Sequence, residues 1–128
     1  MKTFTRALAL TLAVLMLTLA MVSCGGPAKK PEDAKKALED NKYTIIMYID
    51  DADDAKALFG EDKGVVAYIS AVDEDLENSI IICYFESSAK AKEYYADMDK
   101  EDVEDGMVLK CSGKMIYMGT EAAIKAAK

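Results

Sequence analysis

The chain has 128 residues with 23 Asp or Glu against 16 Lys or Arg, a net charge of −7, and neither histidine nor tryptophan. Its single arginine is Arg6, so it lacks both the positive patch that nucleic acid requires and the guanidinium fork that grips phosphate at two points, which argues against a nucleic-acid partner. The absence of His also removes the commonest general base, the Ser-His and Cys-His nucleophile pairs and imidazole metal ligands, and there is no Gly-rich phosphate loop or zinc-type spacing.

At the amino end, Lys2 and Arg6 precede an apolar and Thr-containing run from Ala7 to Val22, followed by Ser23, Cys24 and two glycines. The run is 16 residues long, short of the ~20 that a membrane-spanning helix needs. Met21-Val22-Ser23-Cys24 resembles the lipobox of bacterial lipoproteins, although Leu is usual where Met21 stands. The resemblance implies a diacylglyceryl group on the Cys24 thiol and cleavage just before it. Residues 1–23 are then a lipoprotein signal peptide, 24–30 the lipidated Cys and a flexible tether, and 31–128 a single α+β domain. The expected location is the extracytoplasmic face of the cell membrane, with the lipid anchor as the membrane contact. Loss of Lys2 and Arg6 leaves 14 basic against 23 acidic side chains, net −9, so anionic head groups should repel the globular part.

Pro31-Glu32-Asp33 opens a helix expected to run to about Asp40, with Ala34, Ala37 and Leu38 as its apolar stripe and Asn41 at its end. Tyr43–Ile49 is a continuous apolar run and predicts a strand buried on both faces or at the sheet centre. Asp50 or Asp51 caps a short helix that Gly60 stops. Val65–Val72 and Ser79–Phe85 flank a polar turn and predict an antiparallel hairpin. Ser87 or Ser88 caps a helix bearing Ala91, Tyr94, Tyr95 and Met98, followed by the acidic run Asp97–Asp105. Met107–Cys111 and Lys114–Met118 flank Ser112-Gly113 as a second hairpin, and Thr120 caps a final helix.

This order predicts an α+β fold: an antiparallel-rich sheet of about five strands with helices mainly on one face. A ferredoxin-like arrangement is one way to connect it, since β-α-β-β-α-β is embedded in the order, and the strand order stays open. The stretch Ser112-Gly113-Lys114-Met115-Ile116-Tyr117-Met118-Gly119-Thr120-Glu121-Ala122-Ala123, with Leu38-Glu39-Asp40-Asn41-Lys42-Tyr43, resembles small uncharacterised lipoproteins of Gram-positive anaerobes. That resemblance implies a setting and carries no activity.

Three residue groups invite chemistry. Asp50, Asp51, Asp53 and Asp54, and the run holding Asp97, Asp99, Glu101, Asp102, Glu104 and Asp105, are calcium-type ligands. Neither matches an EF-hand loop, since Lys56 and Val108 stand where Gly and Glu are required, and helix capping and a solvated turn account for them. Cys83 and Cys111 have three readings: two buried free thiols, a disulfide, or a soft Cu(I) site with Met107 and Met115. The seven tyrosines suit core and sheet-face packing, with Tyr117 the one expected to be partly exposed. No catalytic residue, metal ligand or cofactor is assigned, and Cys24 is the one site residue, as the lipidation point. The function this supports is a membrane-anchored, non-catalytic module that binds an envelope protein, peptide or glycan through a sheet face or strand edge. The alternative is a calcium- or cation-responsive surface protein.

Overall fold

The computed structural model describes residues 26–98, 100, 103 and 105–128. Residues 1–23, expected to be a signal peptide, and Cys24 lie outside the described residues, as do Asp99, Glu101, Asp102 and Glu104 of the second acidic run. The element order is α1 (Pro31–Asp40), β1 (Thr44–Ile49), α2 (Ala52–Phe59), β2 (Val65–Val72), β3 (Ser79–Phe85), α3 (Ser88–Asp97), β4 (Met107–Ser112), β5 (Met115–Thr120) and α4 (Glu121–Ala126). The five strands form one sheet in the order β1-β2-β3-β5-β4, and every neighbouring pair is antiparallel. The fold class is therefore α+β, with an antiparallel sheet and four helices.

Local chemistry sets the helix boundaries. Asp51 Oδ1 accepts the backbone N–H of Asp53 and Asp54 at the start of α2, Ser87 Oγ accepts from Lys90 at the start of α3, and Thr120 Oγ1 accepts from Ala123 at the start of α4. Each side chain satisfies a donor that the first helical turn leaves without a partner. Pro31 opens α1, and Asn41 closes it while donating its side-chain amide to the carbonyls of Ala37 at 2.8 Å and Ala126 at 3.2 Å. One residue thus ends α1 and ties it to α4.

The finer arrangement differs from the expectation in three respects. The helices are not mainly on one face: α1 and α4 pack on one side with Ile69, Ile80, Ile82, Tyr84 and Tyr117, while α2 and α3 pack on the other with Val65, Phe85 and Ile116. Apolar side chains lie on both sides of β3, with Ile80, Ile82 and Tyr84 in the core under α1 and α4, and Cys83 and Phe85 in the core under α2 and α3. The ferredoxin-like order is not adopted. β2 lies directly beside β1 and antiparallel to it, whereas the split β-α-β unit needs the two strands parallel with another strand between them. Finally, β1 is an edge strand rather than a central one, with Ile46 in a bulge and 61% exposed.

The segment before α1 also departs from a free tether. Pro27 is buried, the Ala28 N–H donates to the Ala127 carbonyl at 2.9 Å, and the Tyr84 hydroxyl donates to the Ala28 carbonyl at 2.8 Å. Gly26 lies so close to Tyr117 that a Cβ there would meet its hydroxyl oxygen at 2.9 Å. This strap leaves Tyr117 only 6% exposed, correcting the expectation that it stands at the surface.

Candidate interaction surface

In a β-sheet, directly opposed residues project to the same side, so the strand register sorts every side chain by face. On the first face, Ile69, Ile82 and Tyr117 form one cross-strand row, and Ala71, Ile80 and Gly119 the next. All six are buried beneath α1, α4 and the strap. Gly119 is required by close approach: a Cβ would meet the Ser79 carbonyl oxygen at 2.7 Å and Ile80 Cα at 3.0 Å.

Among the described residues, the second face is covered at one end only. Ile49, Tyr68, Cys83, Ile116 and Cys111 are opposed in sequence across all five strands, beside the end where α2 and α3 sit. Phe59 packs on Tyr68 with ring centroids 5.3 Å apart, and Tyr94 on Phe85 at 5.4 Å. The next row is Met47, Ser70, Ile81, Met118 and Leu109, and Leu109 at its β4 end packs against the second core cluster. The other four belong to neither core cluster; Met47 is 43% exposed and Ile81 36%, while Ser70 and Met118 are half-buried. Beyond them Thr44, Val72 and Ser79 form a further row that is likewise outside both clusters. The result is an uncharged and largely apolar area at one end of one face that no element of the described residues covers, bordered on the β1 side by the exposed bulge at Ile46.

Acidic groups rim this area. The β2–β3 turn, which continues directly from Val72 and returns at Ser79, carries Asp73, Glu74, Asp75 and Glu77; Asp105 precedes β4. Asp73 is held rigidly: its carboxylate accepts the Asn78 side-chain amide at 2.8 Å and the backbone N–H of Glu77 and Asn78 at 2.9 and 3.2 Å. The Asn78 side-chain bond, then the backbone donors, outweigh desolvation and lower its pKa from the usual carboxylate value. The other carboxylates of the turn are exposed and free to face a partner.

The residues singled out in the sequence are distributed differently. Asp51 spends its carboxylate on capping α2, and among the described residues no group of three Cys, Asp or Glu is placed to hold a metal ion. Cys83 and Cys111 are free and lie in one row, separated by Ile116 of β5. Two strand spacings put them about 10 Å apart, beyond disulfide reach. Burial pushes the Cys83 thiol up to about 12; burial also raises Cys111, with Lys92 opposing it. Met115 packs on the opposite face, so the four sulfur residues of the copper reading do not converge. Tyrosines are absent from the uncovered rows, because the rings are used as packing: Tyr84 and Tyr117 in the first core, Tyr68, Tyr94 and Tyr95 around the second. A Tyr43–Ile49 strand buried on both faces or at the sheet centre would leave Met47 enclosed, and the structure instead leaves it 43% exposed on an edge strand. The alternation Met47, Ile49 and Ile81, Cys83 was the only signal of the open area, and it does not say which helix covers which pair.

No family model, no curated protein and no solved structure matches this chain. Among the described residues, no helix is long and apolar enough to cross a membrane.

Proposed function

We propose that this protein is a lipid-anchored, non-catalytic binding module on the extracytoplasmic face of the cell membrane. On this reading Cys24 carries the anchor and the uncovered end of the sheet receives a segment of an envelope protein or peptide. The observation that carries the binding half is the row Met47, Ser70, Ile81 and Met118, which no element of the described chain covers. Methionine surfaces adapt to varied apolar shapes, and hydroxyl groups at Ser70, Ser79 and Thr44 supply hydrogen bonds without charge. The acidic rim favours a partner with Lys or Arg beside its apolar side chains and disfavours a second copy of the same acidic chain. A glycan fits less well, because these rows offer no aromatic ring to stack on.

The test is selection of random displayed peptides on the immobilised full chain, with a variant carrying both Ile81→Glu and Met118→Glu as the counter-target. The expected outcome is enrichment of peptides that combine apolar and basic residues and lose retention on the variant. Equal retention on both targets contradicts the proposal. The anchor is tested separately by mass spectrometry of the protein from a bacterium with the lipoprotein pathway. Wild type should carry lipid on Cys24 and Cys24→Ala should not; unlipidated wild type contradicts it.

A further inference from the structure

A second surface feature lies on the other side of the molecule, beside the strap. A cavity of about 410 Å³ is lined by Lys29, Tyr84, Ser112, Gly113, Lys114 and Met115. Three other surface cavities, all around α3, each carry carboxylates: Glu86 and Glu93, then Asp62, Glu93 and Asp97, then Asp97. The strap cavity has two ammonium groups on its lining and no carboxylate, in a chain whose acids far outnumber its bases. The ion pairs among the described residues are Lys35 with Glu39 and Lys90 with Glu93, and neither Lys29 nor Lys114 takes part. Their surroundings follow the same sign, since residues 107–128 contain four lysines against Glu121 alone. Glu32 and Asp33 in the first turn of α1 are close enough to the lining residue Tyr84 to contribute to raising its pKa, behind the larger effect of burial.

Position identifies the ligand's source. The strap is held by the Ala28 bonds to Ala127 and Tyr84, so Lys29 is fixed on the domain and Gly26 lies against Tyr117. Cys24 precedes Gly26 by two residues, about 7 Å of chain at full extension. On the lipid-anchor reading, on which this inference rests, the domain has little slack and this side of it is carried to the level of the head groups. We propose that the cavity takes a phosphate-bearing anion, supplied by the head group of an anionic membrane lipid. Lys29 and Lys114 would meet the phosphate as point charges, and the Ser112 hydroxyl would donate to it. The cavity is larger than a bare phosphate requires and matches the lower range of small-molecule sites. The net repulsion expected from the charge of the whole chain is thus reversed locally, where the chain meets the membrane. The uncovered sheet area, on the opposite face, is turned outward.

The experiment is amide NMR of the lipidated full chain in nanodiscs of phosphatidylcholine alone and with added phosphatidylglycerol. A second arm titrates inorganic phosphate into the unanchored Cys24→Ala chain in solution. Phosphatidylglycerol should shift the Ser112, Gly113 and Lys114 signals, and a variant with Lys29→Gln and Lys114→Gln should lose anionic-lipid affinity on the order of tenfold with its remaining spectrum unchanged. Shifts with inorganic phosphate but not with phosphatidylglycerol overturn the lipid assignment. No shift in either arm, or shifts that persist in the double variant, overturn the site. Failure of the anchor reading is seen independently, as wild-type chain that carries no lipid and does not enter nanodiscs.

Discussion

Ile81 and Ile82 are adjacent in β3 and chemically identical, yet Ile82 is fully enclosed while Ile81 is 36% exposed. They point to opposite faces of one sheet. The face that Ile82 joins is sealed by α1, α4 and the strap, while the face that Ile81 joins is sealed only where α2 and α3 lie. The strands are apolar on both sides, so the difference comes from how much of each face the chain's own helices reach. An apolar surface that the described residues of the chain leave without cover is the kind that marks a docking site.

Substitutions that sample the two faces should separate them most clearly. Ile82→Ala should cost ~2–5 kcal/mol of unfolding free energy in urea, the range for truncating an enclosed side chain, whereas Ile81→Ala should cost less than about 1 kcal/mol. Similar losses at both positions would erase the distinction. Gly119→Ala, on the sealed face, should cost ~1–3 kcal/mol because the new methyl meets Ser79 and Ile80 backbone. A melting temperature unchanged by that substitution would show that the two strands separate easily. Tyr84→Phe removes the hydroxyl that holds the strap and should cost about 1 kcal/mol, with faster hydrogen exchange at Ala28. If Ala28 exchange is unaffected, the strap is not held in this way.

Alkaline pH provides a smaller, graded test. The Cys83 thiol, ordinarily near 9.0, is raised to about 12 by burial, so the unfolded chain ionises first as pH rises. The stability it contributes is fully present below about 9 and declines as pH approaches 12. Burial of Tyr84 acts in the same direction. Urea midpoints should therefore fall over this window, and Cys83→Ala should flatten the decline. In the native state a thiol reagent should modify Cys111 before Cys83; the reverse order would contradict the burial difference.

Much of the local structure was legible because it depends on near neighbours. Asp50 or Asp51, Ser87 or Ser88, and Thr120 read as caps, Gly60 as a stop and Pro31 as a start; the structure selects Asp51 and Ser87 from the two pairs, and the helix boundaries follow. What was not legible depends on distant partners. The apolar run of β1 looks central, yet β1 pairs only with β2 and has no strand on its other side among the described residues. The strap resembled a linker because Gly26, Pro27 and Ala28 have little side chain of their own; they bury Tyr117 by lying on it. The candidate surface was hidden for the same reason, since strand alternation gives the two faces of Ile81 and Ile82 but not the cover over each.

Methyl groups on both faces allow one direct measurement. With Met and Ile methyls isotope-labelled in the anchored full chain, an apolar, basic peptide from the selection is titrated and the methyl signals followed by NMR. The account predicts shifts at Met47, Ile81 and Met118, while Ile80, Ile82 and Met115 of the sealed face stay in place. Shifts confined to the sealed face, or none at the three open positions when the peptide is bound, would contradict it.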